Sequence, residues 1–165
     1  MAVIGVDERV SEAYRTAGRA VASALRGWTD GLVAPGRQLQ WSEGPDSARP
    51  FIAYAGVWAA ARRRGDLAGE NGVSPTRLTE AMCAHPGDAS TLGAAQFEVA
   101  TVLRRTGSTD EWGWLPGVGA AWQAELEQMW PVIQHVAVLL LAGREVSAAR
   151  VRRLADDRLV GGLAI

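Results

Sequence analysis

Apolar residues recur every three or four positions along most of this chain, and this spacing restricts the possible fold more than any other feature. Between Asp7 and Arg26 the apolar positions share one helical face; they are Val10, Ala13, Tyr14, Ala17, Val21, Ala24 and Leu25. Asp7 is a typical N-cap residue, and a glycine such as Gly27 commonly ends a helix. The pattern therefore predicts a first helix over residues 7–26.

The same spacing predicts further helices over residues 51–64, 75–84, 89–105, 120–142 and 148–159. Ser74 and Ser147 precede two of these segments and are expected to cap them. Pro131 lies inside the most apolar segment, where a proline should kink the helix or divide it in two. Gly143 should end that helix.

The segments between the helices carry turn and loop signals. Residues 27–50 are rich in glycine and proline, with one short strand predicted over residues 37–41. Residues 106–119, "TGSTDEWGWLPGVG", are predicted to form a second loop, and residues 160–165 a tail. We therefore predict an all-α fold of five to six helices with a minor short β element, in a single domain over residues 1–165.

Composition excludes several classes of partner. The 165 residues are enough for one domain with its own core. A net charge of -1 provides no overall positive field for nucleic acid. The longest apolar run, residues 136–143, is too short to cross a bilayer, and no signal peptide is recognisable at the N-terminus. Cys83 is the only cysteine, so the chain cannot form an internal disulfide, which fits a reducing compartment. Together these features lead us to expect a cytoplasmic protein without membrane contact.

Two arginines stand one turn apart among small and apolar residues of the first predicted helix, in "YRTAGRAVASALRGW" at residues 14–28. This segment resembles the first motif helix of FtsH-type zinc peptidase domains, whose consensus begins H-E-A-G-H-A-V. Ala17-Gly18 and Ala20-Val21 match that consensus. Arg15 and Arg19 stand where the family has its two histidines, and Thr16 stands where it has its glutamate.

Three later segments resemble the same family in the same order, so that the resemblance extends over about residues 8–155. Residues 51–65 are similar to its second helix and residues 126–154 to its closing helices. Residues 85–105 are similar to the helix that supplies an aspartate as third zinc ligand, and Asp88 is the matching residue. No P-loop motif is present, so the resemblance implies a stand-alone peptidase-like domain without the ATPase module.

The substituted residues exclude zinc hydrolysis by the H-E-x-x-H mechanism. Histidine binds zinc through a neutral ring nitrogen, whereas the guanidinium groups of Arg15 and Arg19 offer no lone pair and stay protonated. Thr16 cannot replace the glutamate as general base. No metal and no cofactor are therefore expected. Arg15 and Arg19 either pair with Asp88, or hold an anionic ligand, or are simply solvated.

The resemblance implies a pseudo-peptidase that acts as a protein- or peptide-binding or scaffolding module. Trp112 and Trp114, in the predicted loop, are candidates for the binding surface because exposed aromatic residues favour interfaces. Homo-oligomerisation through an apolar face is a further alternative.

A second alternative is an enzyme that kept the former pocket and changed its chemistry. It would use Arg15, Arg19, Asp88 and His85 on a small acidic or natural-product-like substrate. A histidine in a loop, such as His85, is more often structural, and His135 and Cys83 are expected in the core.

Overall fold

The computed structural model describes residues 2–28, 31–35, 40–41, 45–105 and 114–161. Within these ranges the chain forms six α-helices: α1 (Ala2–Leu25), α2 (Arg49–Leu67), α3 (Pro75–Ala84), α4 (Pro86–Arg105), α5 (Trp114–Leu141) and α6 (Ala148–Gly161). Three short strands, β1 (Gly31–Val33), β2 (Gln40–Trp41) and β3 (Val146–Ser147), and a 3₁₀ turn (Asp46–Ala48) complete the described elements. The all-α fold with a minor β element is confirmed.

Several helices begin earlier than the sequence pattern predicts. Helix α1 begins at Ala2, so Asp7 lies inside the helix and the prediction that it is the N-cap was wrong. No proline interrupts residues 2–6, and the helix can therefore continue through them. Helix α4 begins at Pro86 instead of residue 89, because proline is well tolerated in the first turn of a helix.

Helix α5 differs most from its prediction. It begins at Trp114, so residues 114–119 are helical although they were predicted as loop. Pro116 lies in the first turn, where a missing N–H costs no intrahelical hydrogen bond. Pro131 lies inside the helix, which remains one element from Trp114 to Leu141 and is not divided in two.

The predicted serine caps of α3 and α6 and the predicted glycine after α1 are confirmed. Ser74 accepts a hydrogen bond from the backbone N–H of Arg77 at 3.3 Å, and Ser147 accepts one from Arg150 at 3.3 Å. These contacts satisfy amide groups that have no partner within the helix. Gly27 follows α1 with a φ of 85°, the left-handed conformation that favours glycine at a helix end.

The three strands form one small antiparallel sheet in the order β2-β1-β3. Leu32 pairs with Gln40 on one side and with Ser147 on the other. The sheet thereby joins the segment after α1 to the start of α6. The strand predicted over residues 37–41 is present at Gln40–Trp41, and its first three residues lie outside the described ranges.

Helices α1 and α2 pack closely at the centre of the fold. A Cβ atom on Gly18 would lie 2.4 Å from the backbone oxygen of Ala55 and 2.7 Å from the Cβ of Ala59. The contact therefore depends on the missing side chain of Gly18. Helix α5 covers this pair: the Trp130 ring lies edge-on to Trp58, with centroids 5.7 Å apart.

Two residues expected in the core lie on the surface instead. His135 is exposed because α5 directs Ile133 and Val136 inward, and its own position on the helix faces outward. Cys83 is exposed because α3 buries only Ala81 fully. Among the described residues, no helix is both long enough and apolar enough to cross a membrane.

Candidate functional site

An ion-pair network joins the middle of α1 to the first turn of α4. The side chain of Arg15 donates from Nε to Oδ2 of Asp88 at 2.7 Å, and that of Arg19 donates from Nη1 to Oδ1. Asp88 is only 2% exposed. Its position at the N-terminus of α4 also favours a negative charge, because the helix dipole is positive there. Of the three alternatives that the sequence left open for Arg15 and Arg19, the structure has the pairing of both with Asp88.

Glu12 extends this network along α1. Its Oε1 accepts a hydrogen bond from Nη1 of Arg15 at 2.8 Å and lies 3.4 Å from the hydroxyl of Thr16, which donates to it. Arg15 thus bridges two carboxylates, Asp88 and Glu12. The sequence interpretation overlooked Glu12, although its position three residues before Arg15 places the two on one helix face.

Gly56 on α2 makes room for the two arginine side chains. A Cβ atom on Gly56 would lie 2.9 Å from Cγ of Arg19 and 3.3 Å from Cγ of Arg15. The aliphatic parts of both side chains therefore pack against bare backbone. Gly56 positions the network without bonding to it.

The two arginines differ in their surroundings. Burial by itself would lower the pKa of Arg15. The hydrogen bonds and charges of Asp88 and Glu12 outweigh the effect of burial, and the pKa is raised overall. For Arg19, burial and the like charge of Arg15 outweigh Asp88, and its pKa is lowered. Both side chains nevertheless remain protonated, because arginine is not deprotonated in proteins. The site therefore carries two fixed positive charges against two carboxylates.

His85 lies beside the network, at the junction of α3 and α4. Burial lowers its pKa, and the positive charge of Arg15 lowers it further, so the neutral imidazole is favoured. Its Nε2 atom is buried and has no hydrogen-bond partner among the described residues. The structure thus brings together Arg15, Arg19, Asp88 and His85, as the sequence interpretation grouped them.

The two tryptophans predicted to form a binding surface lie at the edge of the part of the chain that the structure describes. Trp112 is outside the described residues, and for Trp114, the first residue of α5, the backbone alone is described. Their role as a binding surface stays a prediction. Within the described part of the chain, no three His, Cys, Asp or Glu side chains form a group that could hold a metal ion.

Comparison of the chain with protein-family models, with curated proteins and with solved structures produced no match. The resemblance to FtsH-type peptidase domains therefore stays a prediction from the sequence motifs.

Proposed function

We propose that this protein is a peptidase-like binding module that recognises a protein or peptide and does not hydrolyse it. One observation carries the proposal: both carboxylate oxygens of Asp88 accept hydrogen bonds from Arg15 and Arg19. In the resembled family the corresponding three positions hold zinc. Here an arginine–aspartate pair would connect the same two helices without a metal ion.

The chemistry of the network supports binding without hydrolysis. Peptide hydrolysis of the resembled type requires a metal-bound water and a carboxylate that accepts its proton. Thr16 supplies no such base, and its hydroxyl donates to Glu12. Glu12 in turn is held by the guanidinium group of Arg15. Each charged group of the network is thus paired with another protein group.

Peptide binding in the presence and absence of metal tests the proposal. A library of unblocked peptides of about twelve residues would be incubated with the purified protein, and bound peptides would be identified by mass spectrometry. We expect saturable binding, intact peptides, and no change on adding EDTA or zinc. Cleaved peptides, zinc-dependent binding, or the absence of any binding would contradict the proposal.

One feature favours a second candidate, an enzyme with changed chemistry that acts on a small acidic substrate. A cleft of about 310 Å³ beside the network is lined by Arg19, Arg49 and Thr91, among others. Arg19 pairs with Asp88 and Arg49 with Asp46, and the N–H groups that these pairs leave over suit a carboxylate or phosphate. Calorimetric titration with succinate and with inorganic phosphate tests this candidate: it requires saturable binding that Arg49→Gln weakens, and failure of both anions to bind contradicts it.

A further inference from the structure

A second cleft, on the other side of the network, is not explained by the arginine–aspartate pairing. Its volume is about 900 Å³, and it lies between the N-terminal half of α1, the end of α2 and the α3–α4 junction. Ligand pockets in proteins commonly have volumes of about 300–1,000 Å³. The cleft is therefore large enough for a peptide segment.

Two polar atoms in the residues of this cleft are buried without a partner. The hydroxyl of Ser11 and Nε2 of His85 make no hydrogen bond among the described residues, and Ser11 is only 8% exposed. Both residues contribute to the cleft wall. Buried polar groups are nearly always hydrogen-bonded in proteins, so two unpartnered ones at one cleft indicate that a bound group completes them.

The charges of the cleft are separated between its walls. Helix α1 contributes the carboxylates of Asp7, Glu8 and Glu12, offset by one arginine of the same helix. The opposite wall contributes Arg64 of α2 together with His85. A ligand with a positive group next to a hydrogen-bond acceptor matches this arrangement.

We propose that this cleft binds the free amino terminus of a peptide, with the ammonium group against the carboxylates of α1. The first carbonyl oxygen of the peptide accepts a hydrogen bond from Arg64 or from the hydroxyl of Ser11, and an N–H group of the peptide donates to Nε2 of the neutral His85. The inference rests on the proposed function, because it names the part of a peptide that such a module recognises. It adds a site that the resemblance to a zinc peptidase does not include.

The test uses three peptides with the 165-residue protein. They are Ala-Ala-Ala amide with a free amino terminus, its N-acetylated form, and acetyl-Ala-Lys-Ala amide, which carries an ammonium group only on its side chain. We expect the unblocked peptide to bind at least about tenfold more tightly by calorimetry than either acetylated peptide, the difference expected for a lost charged hydrogen bond. Equal binding of the unblocked and acetylated alanine peptides would overturn the proposal, as would equally tight binding of the lysine peptide.

Variants locate the binding site. Ser11→Ala should weaken the binding of the unblocked peptide by about three- to tenfold, since one hydrogen bond is lost. His85→Gln should also weaken it, whereas the matched change at the exposed histidine, His135→Gln, should leave the dissociation constant unchanged. Circular dichroism and thermal unfolding verify that each variant is folded. Unchanged binding by folded Ser11→Ala protein would overturn the proposed site.

The outcome also separates this inference from the proposed function. If longer peptides bind but acetylation and Ser11→Ala have no effect, the cleft proposal is wrong and the proposed function stands. If no peptide binds to the unmodified protein, both are wrong.

Discussion

At the scale of single residues, the carboxylate of Asp88 is the buried charge on which the contact between α1 and α4 depends. It accepts from two arginines whose side chains are 22% and 28% exposed, whereas its own side chain is 3% exposed. A buried charge without partners is strongly unfavourable, and so is a guanidinium group that loses its carboxylate. The pairing therefore acts as a specific connection between residues far apart in the sequence.

Asp88→Asn tests this connection, because asparagine keeps the size of the side chain and removes its charge. We expect the free energy of unfolding to fall by about 2–4 kcal/mol, somewhat less than for a fully buried pair because both arginines keep partial contact with water. Urea unfolding measures the change. Asp156→Asn, at an exposed position of α6, is the control and should change stability by less than about 0.5 kcal/mol. Similar losses in the two variants would contradict a structural role for Asp88.

The lowered pKa of His85 predicts a pH dependence of stability. Burial and the charges of Arg15 and Arg64 lower the pKa, and Glu12 and Asp88 oppose them only in part. The unfolded chain therefore takes up a proton at this histidine more readily than the folded protein does. The stability that comes from keeping His85 neutral is fully present above a pH of about 6.5 and is lost as the pH falls below that value.

Unfolding experiments between about pH 7.5 and pH 5.5 measure this dependence, across the ordinary histidine pKa. We expect a smaller decrease in stability for His85→Gln than for the unchanged protein. If His85→Gln loses as much stability over this range as the unchanged protein, the neutral form of His85 is not favoured by folding.

At the scale of helices, α1 makes specific contacts with α2, α4 and α5. It approaches α2 at Gly18 and reaches α4 through the arginine–aspartate pairs, and Arg26, the residue that follows α1, joins its C-terminal end to α5. The guanidinium group of Arg26 binds both carboxylate oxygens of Glu125, each at 2.7 Å, and lies 3.8 Å from the ring centroid of Phe51. Arginine suits such positions because its planar group binds two oxygens at once and stacks on aromatic rings.

Gly18→Ala tests the contact between α1 and α2. The added methyl group would lie 2.4 Å from the oxygen of Ala55, so the helices must separate, and we expect a loss of about 2–3 kcal/mol in urea unfolding. Gly93→Ala in α4 is the matched control, because nothing lies within 4 Å of its added methyl group. Alanine should stabilise that exposed helical position by up to about 1 kcal/mol. Equal effects of the two substitutions would contradict the close packing.

Arg26→Lys tests the link between α1 and α5. Lysine keeps the positive charge but cannot bind both oxygens of Glu125 or stack as a plane on Phe51, and we expect a loss of about 1 kcal/mol because the pair is partly exposed. Arg144→Lys, at an exposed position, provides the comparison and should be neutral. A neutral Arg26→Lys would show that charge alone maintains this contact.

At the scale of the whole molecule, arginine–carboxylate pairs recur where helices meet. Arg62 of α2 donates to Glu127 of α5 at 3.1 Å, in addition to the links from α1 to α4 and α5. All 17 basic residues of the chain are arginines. The described fold thus combines an apolar core of α1, α2 and α5 with charged pairs where helices meet.

Restoring the zinc motif tests the global arrangement that the resemblance implies. Arg15→His, Thr16→Glu and Arg19→His together place two imidazoles and a carboxylate next to Asp88. We expect the triple variant to bind zinc at least about tenfold more tightly than the unchanged protein, because histidines one turn apart with a nearby aspartate form a zinc site. Calorimetry measures the affinity. The triple variant with Asp88→Asn should lose most of this gain. Absence of any gain would argue that the resemblance is misleading.

The sequence alone determined the local features, because they depend on neighbouring residues. The apolar spacing predicted the helices, and the caps at Ser74 and Ser147 follow from their side-chain oxygens. The exclusion of zinc chemistry of the H-E-x-x-H type required only the residue types at positions 15, 16 and 19. Pairing with Asp88 was one of three alternatives that the sequence left open.

Only the tertiary structure decided features that depend on distant residues. Arg15 and Asp88 are separated by 73 positions, and their contact exists because α1 and α4 both pack against α2. Exposure of His135 and Cys83 depends on which faces of α5 and α3 are covered. The close contact at Gly18 and the two unpartnered atoms at the larger cleft likewise arise where separate elements meet, since packing decides which groups are withdrawn from water and which partners they find.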